Sequence, residues 1–440
     1  MRTYYVQPSS HVLQRETARM KAPHDQPRIL IAGAGIGGLT AALALRKLGF
    51  RHIEVLEQTA VLKEVGAGIQ LGPNAVKVLH DLGIAPALEA VAVAPLATRS
   101  RDWASGRTIR DFPLGPECAQ RYGAPYYHVH RADLHNALID AYGRENVRLA
   151  QRVKTYAQDA AGVRVVLESG ETVEGDVLVG ADGVHSVVRG QLLEGQDPRF
   201  TGLLAWRGMA DADRARHLGI EKNVNAWWGP HRHFVNYYVS AGRRINWIGI
   251  VPAGQWRLES WSARGDKAEV LKEFDGWHPI VRGLIEATDD VFKWALYDRD
   301  PWPVWTRGRV TLLGDAAHPM VPFLSQGGSQ SIEDGHVLAL CLAGLPHDPA
   351  AALKAYEELR TARTARVQLG SREAGRMFHQ TDPLKKFMRN LKFRWAALTN
   401  SQEKWRRVDW LYSYDCQAAV AEKLGAAPAS APVPTAGSIA

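Results

Sequence analysis

The chain has 440 residues, enough for two or three domains around a sizeable core. Apolar residues make up 46% and charged residues 23%, as in soluble globular proteins, and no apolar run is long enough to predict a membrane span. The net charge of +8 comes from scattered basic residues, which argues against nucleic-acid binding and favours small anionic substrates.

The cysteines and the two ends of the chain give no sign of a catalytic or metal-binding motif. Cys118, Cys341 and Cys416 lie far apart and form no Cys-x-x-Cys motif, which predicts a reducing, cytoplasmic location without disulfides or a metal site. Residues 1–27 lack the apolar segment of a secretory signal and are predicted to be a disordered extension; the true start is Met1 or Met20. The Ala/Pro-rich tail, 426–440, is also predicted to be disordered.

A glycine-rich turn follows the first predicted strand, residues 28–32, and precedes a predicted helix. In the motif GAGIGG, Gly33 permits a tight turn, Gly35 lets a pyrophosphate approach the backbone, and Gly38 lets helix and strand pack closely. The second strand ends in Glu57, which can accept hydrogen bonds from the ribose hydroxyls of an adenosine. The context predicts a dinucleotide site, but it leaves the choice between NAD and FAD open.

Three later stretches bear on that choice. Arg131 lies just before an amphipathic helix, where it can reach a phosphate or ribityl chain. The sequence GADGVHS, 180–186, follows a predicted strand and contains Asp182. GDAAHP, 314–319, also follows a strand. No second G-x-G-x-x-G is present to hold NAD(P)H in a domain of its own.

In this order, GAGIGG, GADGVHS and GDAAHP resemble the motifs of the single-component (class A) flavin aromatic hydroxylases, over roughly residues 28–375. GAGIQLGPN at 66–74 and LYSYD at 411–415 are similar to the salicylate, 3-hydroxybenzoate and 6-hydroxynicotinate hydroxylases. The resemblance implies FAD as cofactor and NADH or NADPH as a transient co-substrate. It also implies that O2 hydroxylates a small hydroxy-aromatic acid through a flavin C4a-hydroperoxide, with or without decarboxylation.

The resemblance also implies roles for individual residues. Gln58, next to Glu57, joins the cofactor-binding candidates, and Asp182 is implied to contact both FAD and NAD(P)H. Asp315 is implied to hold the ribityl chain. Gly327 and Gly328 open a helix whose N–H groups would meet the N1–C2=O edge of the flavin.

The implied fold is an α/β FAD-binding, Rossmann-like domain with an inserted antiparallel substrate sheet and a C-terminal helical segment. The FAD-binding domain is predicted at 28–98, 127–200 and 293–375, and the substrate domain at 99–126 and 201–292. C-terminal helices are predicted at 376–425, where a homodimer interface is one option.

The catalytic candidates lie on a predicted strand and in a proline-rich loop. On a strand, His231, His233 and Tyr237 share one face. His233 is the predicted base or orienter for a phenol hydroxyl, because imidazole titrates near neutral pH. Tyr237 is a second hydrogen-bond partner. Gln70 and His231 are pocket candidates, and the carbonyl of Pro322 is predicted to face the substrate hydroxyl.

Three alternatives remain at this stage. A flavin-dependent halogenase is suggested by the stretch 247–252, although Gly249 replaces the second tryptophan of the W-x-W-x-I-P pattern. A non-enzymatic FAD-binding regulatory protein and a plain NAD-dependent dehydrogenase are the other two. The sequence leaves the partner of a substrate carboxylate unnamed.

Overall fold

A computed structural model describes residues 26–62, 66–193, 198–254, 263–399 and 403–425. The predictions of disorder for most of the N-terminal extension and for the tail therefore fall outside the described residues. The strands are β1 (Ile29–Ala32), β2 (Ile53–Leu56), β3 (Gly68–Leu71), β4 (Ala97–Asp102), β5 (Thr108–Pro113), β6 (Tyr127–His130), β7 (Val147–Arg148), β8 (Val153–Gln158), β9 (Val163–Leu167), β10 (Thr172–Gly175), β11 (Val177–Gly180), β12 (Arg199–Asp211), β13 (Val224–Gly229), β14 (Arg232–Val239), β15 (Arg244–Pro252), β16 (Thr288–Asp298), β17 (Thr306–Arg307) and β18 (Val310–Leu312).

The helices surround these strands and then continue alone to the C-terminus. They are α1 (Ile36–Lys47), α2 (Pro73–Asp81), α3 (Ala85–Glu89), α4 (Pro116–Tyr122), α5 (Arg131–Tyr142), α6 (Val187–Leu192), α7 (Lys267–Glu273), α8 (Pro279–Glu286), α9 (Gly327–Gly344), α10 (Pro349–Phe378), α11 (Pro383–Thr399), α12 (Glu403–Tyr412) and α13 (Cys416–Leu424).

A six-stranded sheet in the order β17-β18-β11-β1-β2-β7 forms the centre of the predicted FAD-binding domain. All of its pairs are parallel except β17–β18, and its central strands are fully buried. α1 and α9 pack together closely because both carry glycine at the contact. A Cβ on Gly335 would lie 2.7 Å from the backbone nitrogen of Ala41. This packing holds the N-terminal halves of two helices near the carboxyl ends of the parallel strands, where such sheets bind ligands.

A second sheet of seven strands has the order β16-β12-β15-β14-β13-β4-β5. All of its pairs are antiparallel except β13–β4. One face packs on α7 and α8 through a tryptophan-rich core, and β14 lies inside the sheet between β13 and β15. The predicted α/β fold with an inserted sheet and C-terminal helices is confirmed.

The described residues contain no membrane-spanning helix, no metal-binding cluster of side chains and no disulfide. None of the helices in them is both long enough and apolar enough to cross a bilayer. Across the same ranges, no group of three His, Cys, Asp or Glu side chains is arranged to hold a metal ion. Cys118, Cys341 and Cys416 are buried thiols.

Candidate active site

The turn between β1 and α1 forms a backbone cradle at the end of the parallel sheet. Gly33 has a φ of +109°, and an added Cβ would collide with the carbonyl oxygen of Ala181. A Cβ on Gly38 would collide with the carbonyl oxygen of Gly33. A Cβ on Gly35 would meet no atom within 4 Å. Gly35 thus faces open space at the start of α1, whose first turn has neither a side-chain cap nor an acid, so its N–H groups suit a phosphate.

Glu57 borders this cradle from the end of β2. Its carboxylate accepts hydrogen bonds from the backbone nitrogens of Ala34 (2.8 Å) and Thr59 (2.9 Å), which fixes its position and leaves lone pairs for ribose hydroxyls. Gln58 beside it is exposed. His135, which the sequence analysis missed, contacts the carbonyl oxygen of Ala34 at 2.8 Å through Nε2. These residues fit the pyrophosphate and adenosine ribose of FAD.

We expect Gly35→Ala to weaken FAD binding by roughly tenfold or more while leaving the unfolding temperature of the apoprotein nearly unchanged. The added methyl group has space in the protein but occupies the approach of the pyrophosphate. Flavin titration and apoprotein melting measure the two effects. Gly190→Ala, also in open space, is the matched control and should retain FAD. An unchanged FAD affinity in Gly35→Ala would contradict the assignment.

The loop after β18 places an exposed carboxylate beside the start of α9. The chain turns at Gly314, where φ is +64°, and Asp315 is exposed between buried neighbours. A Cβ built on Gly327, the first residue of α9, would lie 4.0 Å from Oδ1 of Asp315. α9 begins without a side-chain cap or an acid in its first turn. This polar edge fits the ribityl chain and the N1–C2=O edge of FAD.

Gly328, the second residue of α9, packs closely against β3. A Cβ there would lie 2.5 Å from Cδ1 of Ile69 in β3. Behind β3, the amide of Asn74 donates to the Gln326 side chain (3.1 Å) and to Glu333 (2.6 Å). The GAGIQLGPN stretch therefore lies directly against the start of α9.

A buried charge network, which the sequence analysis did not predict, holds this loop in place. Asp334 accepts a hydrogen bond from the backbone of Gly314 (3.0 Å) and contacts Nε2 of His318 (2.6 Å). Arg360 of α10 donates to Asp334 (2.7 Å) and Glu333 (2.6 Å), and all three side chains are fully buried. Burial opposes ionisation of Asp334, but His318 and Arg360 outweigh it and lower its pKa to about 2. The available signal was the acidic pair at the seventh and eighth residues of α9.

Asp182 caps a helix in this structure. Its carboxylate accepts hydrogen bonds from the Ser186 hydroxyl and from the backbone nitrogens of Val187 (2.8 Å) and Val188 (3.2 Å), at the start of α6. Burial raises its pKa despite these bonds. Next to it, Arg189 donates to two carbonyl oxygens of the loop after β18 (2.8 and 2.9 Å). The two motifs around Asp182 and Asp315 are therefore physically joined, while a direct contact of Asp182 with cofactor stays a prediction.

Arg131 opens α5, and its backbone nitrogen donates to the carbonyl oxygen of Ala67 (2.8 Å). Its charge also acts on Arg207 of β12, a residue that the sequence analysis missed. Arg207 is fully buried, with its guanidinium 5.3 Å from the ring centroids of both Phe292 and Trp294. Burial and the nearby Arg131 lower the pKa of Arg207 to about 10. Arg131 and Arg207 therefore make the electrostatic potential around Arg207 positive.

Strand register places Arg207 on the same sheet face as the predicted catalytic residues. Arg207 pairs with Ile248, and Ile248 pairs with Val235 of β14. Directly paired residues of antiparallel strands share a face, and so do residues two apart on one strand. The face shared by His233, Val235 and Tyr237 therefore includes Arg207. Val235 and Ile248 are only partly buried, which leaves room above this part of the sheet.

Tyr237 and Gln70 meet in a buried polar cluster. Oε1 of Gln70 accepts a hydrogen bond from the hydroxyl of Tyr126 (2.8 Å), and the Gln70 side chain also hydrogen-bonds with Tyr237. The ring of His128 lies 4.5 Å from that of Tyr237. Burial raises the pKa of Tyr237 well above its usual range, against the effect of the Gln70 bond. Gln70 is therefore an interior residue, not a surface glutamine, and Tyr237 keeps its proton at neutral pH.

His233 forms a pair with a histidine that the sequence analysis did not select. Its Nδ1 lies 2.6 Å from Nε2 of His379, at the end of α10. The rings of Phe323 and Phe378 pack edge-to-face with the ring of His233, with centroids 5.1 and 5.3 Å away, and His233 is only 3% exposed. Burial and His379 hold the pKa of His233 well below its usual range, and burial and His231 lower that of His379 to about 4. Both imidazoles are neutral near pH 7.

His231 does not lie on the strand, and the prediction that it shares a face with His233 is wrong. The tight connection between β13 and β14 places it in the turn, with a φ of +60° and an exposed side chain. It lines a cavity of about 540 Å³ together with Phe323, Arg376 and His379. His233, Tyr237 and Gln70 are not among the residues that line it.

Pro322 begins a short 3₁₀ turn that also contains Phe323. Its carbonyl oxygen accepts a hydrogen bond from the backbone nitrogen of Ser325 (3.0 Å), whose φ is +53°. The turn is held against α10, because the Ser371 hydroxyl donates to the carbonyl oxygen of Val321 (2.6 Å). The second lone pair of the Pro322 carbonyl stays available, so contact with substrate remains a prediction.

The buried histidines predict that stability falls as the pH drops below about 6.5. His128 (pKa about 3) and His379 (about 4) titrate near 6.5 when unfolded, so the unfolded chain binds more protons between pH 6.5 and 4. Stability is therefore greatest above pH 6.5, and each histidine should cost about 1–2 kcal/mol at pH 5. Urea unfolding at pH 7 and 5 measures the loss. A His128→Gln variant should show a smaller loss, and an identical one would contradict this origin.

Comparison with known proteins supports FAD as the cofactor. Residues 26–370 match a family model described as an FAD binding domain. A 3-amino-4-hydroxybenzoate 2-monooxygenase of Streptomyces platensis is 39% identical over 395 residues, covering 89% of this chain and 97% of the relative. A 6-hydroxynicotinate 3-monooxygenase of Pseudomonas fluorescens is 39% identical over 347 residues, covering 78% and 89%.

A solved structure gives the same result for the fold. Klebsiella pneumoniae HpxO, complexed with FAD and uric acid, superposes with a TM-score of 0.76 at 31% identity, covering 87% of this chain and 95% of that one. Gly249, which stands where the halogenase pattern has its second tryptophan, leaves no room for that side chain, because a Cβ there would lie 2.6 Å from the Phe274 ring. The chain belongs to the FAD-binding family of flavin-dependent aromatic hydroxylases, and its cofactor is FAD.

Proposed function

We propose that the protein uses NAD(P)H and O2 to hydroxylate a small aromatic acid that carries a ring hydroxyl. The observation that carries this proposal is the sheet face shared by His233, Tyr237 and Arg207, which offers a base, a neutral donor and a cation. The substrates in the names of the relatives, 3-amino-4-hydroxybenzoate and 6-hydroxynicotinate, combine the same ring, hydroxyl and carboxylate. Bound FAD supplies the activation of O2.

Tyr237 and Gln70 orient the ring. Tyr237 remains protonated because burial raises its pKa, so its hydroxyl can donate to a substrate oxygen. Gln70 is fixed by Tyr126 and retains an amide N–H to donate. Since these groups are buried, they also keep water away from the reacting atoms.

His233 and His379 carry the hydroxyl proton away. His233 accepts that proton at Nε2 and passes the proton on its Nδ1 to Nε2 of His379, 2.6 Å away. His379 then releases the proton on its own Nδ1 to solvent in the 540 Å³ cavity that it lines. A net charge never stays on the buried His233, which explains how an imidazole with a lowered pKa still serves as a base.

Arg207 is the proposed partner of the substrate carboxylate. Burial and the nearby positive charge of Arg131 both disfavour the charged form of Arg207. A carboxylate bound beside Arg207 offsets both of these effects. Arg207 lies two strands from Val235, a lateral distance of about 10 Å, which a hydroxybenzoate ring with its substituents can bridge.

A panel of hydroxybenzoates and hydroxypyridine-carboxylates tests the proposed function. NADH and NADPH oxidation, peroxide, CO2 and hydroxylated product are measured together. A true substrate yields product in proportion to the reductant consumed, and CO2 separates decarboxylative from simple hydroxylation. If every aromatic acid gives only peroxide, or none stimulates oxidation of the reduced nicotinamide, the proposal is wrong.

We expect Arg207→Gln to raise KM for the aromatic acid by about 10- to 100-fold, because a charge-assisted hydrogen bond contributes about 1.5–3 kcal/mol. The KM of a phenol without a carboxylate should change little, which provides the control substrate. The flavin spectrum reports whether the cofactor site is intact. An equal rise in KM for both substrates would show that Arg207 has only a structural role.

A further inference from the structure

α11 (Pro383–Thr399) exposes a stripe of large apolar side chains. The spacing of these residues places them on one face of the helix, in an arc of about 100°. They are Leu384 (69% exposed), Phe387 (62%), Met388 (56%), Leu391 (48%) and Trp395 (69%).

The opposite side of α11 attaches the helix to the protein. Phe393 is only 9% exposed, and its ring centroid lies 6.2 Å from that of Trp228. Arg389 lies 5.1 Å over the Trp228 ring and donates to the carbonyl oxygen of Met377 (2.8 Å). The protein therefore holds the helix by this side and presents the apolar stripe outwards.

Positive charge borders the stripe. Residues 383–399 contain five basic residues, Lys385, Lys386, Arg389, Lys392 and Arg394, and no acid. At 100° per residue, Lys385 and Lys392 lie along one border of the stripe and Arg394 along the other. Lysine and arginine in such positions can reach past an apolar face to anionic groups.

We propose that α11 docks the protein on an anionic lipid surface. The apolar stripe enters the boundary between headgroups and acyl chains, and the flanking cations contact phosphate groups. The helix lies in the plane of the surface, which agrees with its attachment to the protein along the opposite side.

A second copy of the chain fits this stripe less well. A helix of 17 residues is about 25 Å long and about 10 Å wide, a footprint of about 250 Å². A stable interface buries about 800 Å² per partner, so the stripe alone falls well short. Pairing two copies of α11 would also bring five cations towards five cations.

Vesicle sedimentation tests the proposal. The FAD-loaded full chain is mixed with vesicles of phosphatidylcholine, or of equal parts phosphatidylcholine and phosphatidylglycerol, at low and at 0.5 M salt. We expect the protein to pellet with the anionic vesicles at low salt only. The charge variant Lys385→Gln/Lys392→Gln/Arg394→Gln should lower the partition coefficient roughly a hundredfold, and the apolar variant Leu384→Ser/Phe387→Ser/Leu391→Ser at least about tenfold.

The matched control is Val61→Ser/Leu96→Ser, which removes two exposed apolar side chains (59% and 67% exposed) outside α11 and should bind vesicles normally. Flavin content and activity in solution should be unchanged in all three variants. Three results would overturn the proposal: no sedimentation with anionic vesicles, equal binding to neutral vesicles, or binding unaffected by the α11 changes. A dimer in sedimentation velocity that the apolar variant alone dissociates would assign the stripe to a second copy.

Discussion

Replacing His233 with alanine is expected to lower the rate of hydroxylation about 10²- to 10⁴-fold while FAD remains bound. A positioned general base contributes about this much. His233 lies in β14 of the seven-stranded sheet, away from the glycine turns that are predicted to hold FAD. Single-turnover reactions that follow product and peroxide give the rate and the coupling. We expect oxidation of the reduced nicotinamide to continue with peroxide as its main product.

Two further variants separate a proton path from simple packing. His379→Gln keeps His233 in place but removes the next proton acceptor, so it should slow hydroxylation and shift the pH profile to higher pH, where the substrate hydroxyl ionises without help. His231→Ala, in the exposed turn, should leave the rate at neutral pH nearly unchanged, because His379 is already neutral there. If His379→Gln lowers the rate equally at every pH, the relay is wrong, and if His233→Ala hydroxylates normally, His233 is not the base.

Arg360→Leu is expected to lower the free energy of unfolding by about 3–5 kcal/mol. The change leaves Glu333 and Asp334 fully buried without their shared cation, and breaking one side of a buried pair usually costs this much. Urea unfolding of the holoprotein at pH 7 measures the loss. FAD release should accompany it, because Asp334 fixes Gly314 and His318 at the cofactor loop.

The control for this prediction is Arg282→Leu, which removes a half-exposed ion pair with Glu286 and should cost no more than about 0.5 kcal/mol. Arg360→Lys, which keeps the charge but loses the second hydrogen bond, should fall between the two. A loss in Arg360→Leu as small as that in Arg282→Leu would show that the network contributes little to stability.

Local sequence was enough to predict the cofactor edge. Gly33 is required by its local φ of +109° and Gly38 by its contact with the carbonyl oxygen of Gly33, although Gly33 also meets the distant Ala181. Glu57 directly follows the next strand. The strand–turn–helix unit around 28–57 is short and continuous, so its hydrophobic pattern and its glycines specify it directly. Asp315 and Gly327 were predicted for the same reason, because only eleven residues of chain connect them.

His379 and Arg207 could not be found in this way. His379 meets His233 from 146 positions away, and Arg207 joins the same face only through the pairing of β12, β15 and β14. For His231 the sequence pattern predicted a strand residue that the structure does not contain. The backbone turns at His231, with a φ of +60°, so the side chain does not follow the alternation of the strand.

By itself, the sequence determined the fold class, the hydroxylase family and FAD as the cofactor, since these depend on short motifs with local backbone requirements. The tertiary structure alone decided which side chains share the sheet face proposed to bind substrate and which charges are buried together. The reason is physical: strand register and helix packing bring distant residues into contact, and burial then sets their charge.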